Sequence, residues 1–104
     1  MIGRLWHGWT TKDNADAYEE LLRTQIFPGI HHVKGHKGAY LLRRDAAEEV
    51  EFVTLTLFES MEAVRAFAGE DYEAAVVPPE ARALLSTYDP RAVHYDVVIT
   101  PQPI

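Results

Sequence analysis

His94, Tyr95 and Asp96 stand in a row near the end of a 104-residue chain. A neutral imidazole takes up a proton near neutral pH, a phenol can donate to a developing oxyanion, and a carboxylate can orient the imidazole ring. His94 and Asp96 share one face if the run is a strand, because side chains alternate across a strand. His94 reads either as a base in a pocket or as a partly buried structural histidine, including one at a subunit seam. The residues alone leave both readings open. Trp6, Phe52, Phe58, Phe67 and Tyr72 are flat apolar side chains that either line a cavity for an aromatic molecule or fill the core of a small domain. Thr54 and Thr56 share one strand face with Phe52 and Phe58 and imply a cavity or water there, unless both hydroxyls bond to backbone. Arg4 shares the face of Trp6, but its place near the chain end suggests exposure. His31, His32 and His36 crowd a polar stretch with no thiolate or obvious carboxylate beside them, so no metal site is expected. Imidazolium there suits the negative end of the preceding helix.

The elements that must position these groups can be read from period and punctuation. Ile2 to Thr10 is rich in β-branched and aromatic residues and reads as a strand. Thr10, Thr11, Asp13 and Asn14 are candidate caps for an amphipathic helix from about Asp13 to Phe27, with Ala15, Tyr18, Leu21, Leu22 and Ile26 on one stripe. Pro28 stops or kinks it. A loop over 30–37 leads into a second strand, Gly38 to Arg44, and a polar turn. Val50 to Glu59 is the strongest strand. Ser60 caps a second helix carrying Met61, Val64, Phe67 and Ala68, with another turn or two expected around Tyr72 to Val76. Pro79 opens a short helix through Leu85. Tyr88-Asp89-Pro90 is a turn, Arg91 to Ile99 the last strand, and residues 100–104 a tail. Strand, helix, strand, strand, helix, strand predicts a single α+β domain over 1–104. The fold is ferredoxin-like, with a four-stranded antiparallel sheet and both helices on one face.

Composition narrows the function classes. The net charge is −6 with no basic stripe, which argues against a phosphate-binding footprint and hence against nucleic acid. Cysteine is absent, which excludes disulfides, thiolate catalysis and zinc–sulfur sites. No apolar run approaches the ~20 residues that span a bilayer, so membrane insertion is not expected and the cytoplasm is the default. No glycine-rich nucleotide motif, P-loop or nucleophile elbow occurs, so no cofactor is indicated.

The third strand carries apolar groups on both faces: Phe52 and Phe58 flank the two threonines on one, while Val53, Leu55 and Leu57 form the other. Two helices cover one face only. A bare second face bearing Leu5, Val53, Leu55 and Leu57 would be a contiguous apolar patch. The expectation is a homodimer closed by the same face of a second copy.

Several runs resemble antibiotic-biosynthesis-monooxygenase-like domains of the dimeric α+β barrel superfamily: Gly35-His36-Lys37-Gly38-Ala39-Tyr40-Leu41-Leu42-Arg43-Arg44, Val53 to Ser60 leading into Ala63-Val64-Arg65-Ala66-Phe67, Asp71 to Arg82, and His94-Tyr95-Asp96-Val97-Val98. The resemblance implies a pocket between sheet and helices in each subunit. It also implies a cofactor-independent monooxygenase that oxidises a small aromatic or polyketide-like substrate with molecular oxygen. The alternative is a non-catalytic or stress-related domain of the same fold that binds a small apolar molecule. Haem-degrading relatives ligate iron through a histidine where this chain has Val76 or Val77, which counts against haem chemistry here.

Overall fold

A computed structural model describes residues 1–101. Strand β1 (Ile2–Thr11) runs into helix α1 (Lys12–Leu21), whose cap is Thr11: its hydroxyl accepts from Asn14 N. The helical path does not stop at Pro28. It widens into a π-helical stretch over Leu22–Ile26 and continues through a short α2 (Phe27–Ile30) with Pro28 in its first turn. Proline has no N–H to donate and its ring crowds the carbonyl four residues back; the wider turn precedes it, and so the helical path continues instead of ending.

Strands β2 (His36–Asp45) and β3 (Glu49–Phe58) follow, then α3 (Met61–Ala68), capped by Ser60 through a bond from Ala63 N. Gly69 to Pro78 is irregular and not helical as expected, tied to the chain end by an isolated bridge between Ala74 and Arg91. A four-residue α4 (Pro79–Arg82) ends before Leu85, and Leu85 begins strand β4 (Leu85–Tyr88).

The sheet is antiparallel in the order β2-β3-β1, with the far edge of β1 shared by two short strands. Strand β4 pairs with Gly8 to Thr10, and β5 (Val93–Asp96) pairs with Ile2 to Leu5. The last strand is therefore split and shorter than Arg91 to Ile99, which gives five strands where four were expected. Asp89 N still donates to His7 O, but Pro90 has no N–H, and the ladder breaks there. Of the 100–104 tail, residues 102–104 lie outside the described residues.

All helices lie on one face. Beneath them Tyr18, Phe52 and Val50 form one buried cluster with Ala15, Leu22 and Ala81, and Phe58, Ala63 and Val64 form another. The register directly opposes Leu5 to Leu55, Trp6 to Thr54 and Arg4 to Thr56. Directly opposed residues share a face. Arg4, Trp6, Thr54 and Thr56 thus face the helices, and Leu5, Val53, Leu55 and Leu57 face away. No helix among the described residues is long and apolar enough to cross a membrane.

Candidate active site

Between the two buried clusters the sheet and helices leave a cavity of about 430 Å³. Its floor is the middle of β1 and β3: Arg4, Trp6, Thr54 and Thr56. Tyr18, Leu22 and Ile26 form one wall, Phe67 and the Val76–Val77 segment the other, and Gln25 and Glu80, both exposed, mark its mouth. The π-helical stretch contributes Leu22, Gln25 and Ile26, so the irregularity before Pro28 shapes the wall.

Trp6 is fixed at both ends of its ring. Its Nε1 donates to Asp89 O at 2.7 Å, and its ring sits 5.7 Å from that of Tyr88. Gly8, two residues along the same face, makes this possible: a Cβ there would lie 2.9 Å from Leu85 Cδ2 and 3.2 Å from the indole. Burial pushes the Tyr18 phenol up to about 12, so it stays protonated. Neither Thr54 nor Thr56 makes a side-chain hydrogen bond to a described residue.

Arg4 corrects the expectation of an exposed side chain: it is 5% exposed. Its Nη1 donates to Tyr72 O and to His94 Nε2 (3.1 Å), and its Nη2 donates to Ala74 O at 2.9 Å. The guanidinium carbon lies 5.5 Å from the centre of the Phe67 ring. Desolvation lowers its pKa, but an arginine stays charged in a protein.

Of the seven aromatic and threonine residues expected in the pocket, Trp6, Thr54, Thr56 and Phe67 line the cavity. Phe52 and Phe58 share its face but are fully buried core. Tyr72 and His94 lie outside it, behind Arg4, in edge-to-face contact at 5.4 Å. Because arginine can only donate, His94 Nε2 is the acceptor nitrogen, and the ring is neutral with its proton on Nδ1. Burial, then the Arg4 charge, lowers the His94 pKa. Its one lone pair is committed to Arg4, which leaves none for a substrate proton. Tyr95 lies on the opposite face, opposed to Gly3, and Asp96 is exposed and makes no hydrogen bond to His94. The structure thus brings His94 to Arg4 and brings neither Tyr95 nor Asp96 to the cavity. The alternation of Arg4 with Trp6 was the signal for Arg4. The Tyr18 stripe read as core, and it serves as core and wall at once.

The family model for antibiotic biosynthesis monooxygenases matches residues 1–78. The chain belongs to that family. No curated protein matches it in sequence. Among solved structures it is similar to the haem degrader MhuD of Mycobacterium tuberculosis with two haems in its active site, at 19% identity and TM-score 0.63 over 98% of this chain and 100% of that one. It is similar to the ActVA-Orf6 monooxygenase of Streptomyces coelicolor in complex with nanaomycin D, at 17% identity and TM-score 0.62 over 99% and 92%. SnoaB, a cofactor-independent oxygenase from Streptomyces nogalater solved as a mutant, gives 19% identity and TM-score 0.57 over 95% of each chain. At these identities the likeness shows the antibiotic-biosynthesis-monooxygenase fold, a fold that hosts both haem breakdown and cofactor-independent oxygenation. Haem does not fit this lining. Val76 and Val77 are cavity wall, and no histidine is among the lining residues, so no imidazole is offered to an iron.

Proposed function

We propose that this protein is a cofactor-independent monooxygenase for a small aromatic or polyketide-like molecule, working as a homodimer. The observation that carries the reading is the cavity: a space of about 430 Å³ with aromatic and aliphatic walls and one polar end, in a chain of this family. The volume lies within the ~300–1,000 Å³ of small-molecule sites, and apolar lining with a few placed polar groups is their usual make-up.

The chemistry asks little of the protein. Ground-state oxygen reacts slowly with closed-shell molecules, and an ionised aromatic hydroxyl is electron-rich enough to transfer one electron to it. The radical pair joins at a ring carbon to give a hydroperoxide. Loss of water from that group leaves a quinone: naphthol and one O₂ give naphthoquinone and one H₂O. The protein excludes water, holds the ring and stabilises the anion. Trp6 and Phe67 supply flat surfaces, and Thr54, Thr56 and Arg4 supply the polar end.

Oxygen uptake measured on anthrones, naphthols and quinols tests this reading, with quinone and one H₂O per O₂ expected from anthrones and naphthols, and hydroxyquinone and one H₂O from quinols. A protein that binds these compounds but leaves their spontaneous oxidation rate unchanged refutes it. That result would favour a ligand-binding domain of the same fold, the reading favoured by the absence of a histidine from the cavity lining.

A further inference from the structure

The two charges of the cavity differ in burial. Arg4 and Glu80 are its charged lining residues among those described, and Glu80 is exposed at the mouth. All the groups that hold Arg4 are neutral: two backbone carbonyls and the Nε2 of His94. Elsewhere the chain supplies carboxylates freely. Arg23, Arg43, Arg44 and Arg91, all exposed, each pair with an aspartate or glutamate. The buried arginine has no carboxylate in ion-pairing range among the described residues. A buried charge without a counter-ion is costly, and one that borders a cavity is best answered by what enters it. Directly across the strand pair sits Thr56, with Thr54 two residues away, and neither hydroxyl has a hydrogen-bond partner among the described residues. One end of an otherwise apolar space thus offers a fixed positive charge and two hydroxyl donors.

We propose that the cavity takes its ligand as an oxyanion: a flat aromatic molecule whose ionised hydroxyl lies at Arg4, Thr54 and Thr56. This rests on the proposed reading for the substrate class and its ionised hydroxyl, and adds that the site itself selects the anion at equilibrium, without turnover, through the Arg4 charge. It also accounts for the missing base. The hydroxyl proton leaves to solvent, and the Arg4 charge holds the anion that remains, so no histidine is needed in the wall. His94 is a positioning residue: neutral, it keeps Nη1 in place without cancelling the charge. The other charged groups near this assembly are Glu73, which acts on His94, and Arg65, whose guanidinium lies 5.4 Å from the Tyr72 ring centre.

The sign of a ligand's pKa shift separates this from a merely apolar pocket. Desolvation alone raises the pKa of a phenol, whereas a nearby cation lowers it. The probe is 4-nitro-1-naphthol, whose neutral and ionised forms differ in colour, titrated under argon free and protein-bound. The bound pKa should fall by at least about one unit, which is a tenfold preference for the anion. The non-ionisable 4-nitro-1-methoxynaphthalene should bind at least about tenfold more weakly at a pH where the naphthol is ionised. Arg4→Gln should abolish the shift and level the two affinities, and Arg4→Lys should keep a reduced shift. Should Arg4→Gln fail to fold by circular dichroism, the two ligands on the parent protein still decide. An unchanged or raised pKa, equal affinity for naphthol and ether, binding of neither, or a shift that survives in Arg4→Gln each overturns the proposal. Because turnover is not required, a lowered pKa without oxygen uptake leaves Arg4 in place and removes the oxygenase. Oxygen uptake without the shift does the reverse.

Discussion

Leu55→Asp tests the second copy most directly. Leu55 lies at the centre of the outer sheet face, opposed on one side by Leu5 of β1 and on the other by Tyr40 of β2. The patch continues onto both edges: Tyr40 and Leu42 on β2 are about half exposed, as are Val93 and Tyr95 on β5. At one end of this face Glu51 pairs with Arg44 and lies 3.8 Å from the His7 ring. An apolar centre fits its own copy better than a charged partner. If two copies close face to face, each Leu55→Asp side chain forfeits leucine burial worth about 1.5–3 kcal/mol. It also places a carboxylate in the seam. That carboxylate escapes by protonating, and a pKa raised by about three units costs about 4 kcal/mol at neutral pH. A two-fold axis doubles the effect. Even a third of the total, ~4 kcal/mol, weakens the dimer about a thousandfold.

Sedimentation velocity at micromolar concentration should show a parent dimer and a Leu55→Asp monomer with unchanged circular dichroism, since the leucine is only partly covered in one chain. Association of the variant should recover partly as the pH falls towards 4, because the dimer then holds the neutral acid. Ala66→Asp, on the exposed side of α3, is the control and should stay dimeric. A parent that sediments as a monomer, or a variant that dimerises as tightly as the parent, refutes the reasoning.

Gly35 has φ +88°, and a Cβ there would lie 2.6 Å from Ala63 Cβ. Left-handed strain of roughly 1–2 kcal/mol and overpacking of about 1–3 kcal/mol predict that Gly35→Ala lowers the unfolding free energy by about 2–5 kcal/mol in urea melts; a change under about 0.5 kcal/mol would contradict the geometry. Burial lowers the pKa values of His94 and His36 in the folded protein. Between their folded and unfolded pKa values the unfolded chain binds more protons. Stability is therefore full above the ordinary histidine pKa of about 6.5 and declines as the pH falls below it. Urea midpoints from pH 8 to 5 should show this slope, and His94→Gln and His36→Gln should each flatten it. Haemin added to the protein should give no ligation-shifted Soret band; a tight complex whose band is lost on changing one of the five histidines would show that a ligand exists outside the cavity wall described above.

What was legible in the sequence was whatever a short period sets. The alternation of Phe52, Thr54, Thr56 and Phe58 with Val53, Leu55 and Leu57 placed each residue on its face, because a period of two leaves no choice of side. The stripe through Ala15 and Tyr18 did the same for α1. Of the two outcomes expected at Pro28, a stop or a kink, the stop did not occur: a widened turn precedes the proline and the helical path runs on to Ile30. The last strand misled because two short segments share one edge of β1, a division set by Asp89 and Pro90 meeting a partner about eighty residues earlier.

Arg4 is the most instructive case. Its face was readable from Trp6, but its burial was not. Its partners are the carbonyls of Tyr72 and Ala74, about seventy residues away. A carbonyl is present at every position and leaves no mark in a sequence. An arginine held by a carboxylate can be suspected from complementary charges, but one held by backbone cannot. The same fact gives the residue its interest. Carbonyls satisfy N–H groups without neutralising the charge, so a cation built into the fold in this way keeps its full attraction for an anion that arrives later. The place of Arg4 near the chain end suggested exposure; buried and without a carboxylate partner among the described residues, it is the group that would select an anionic ligand under the proposal above.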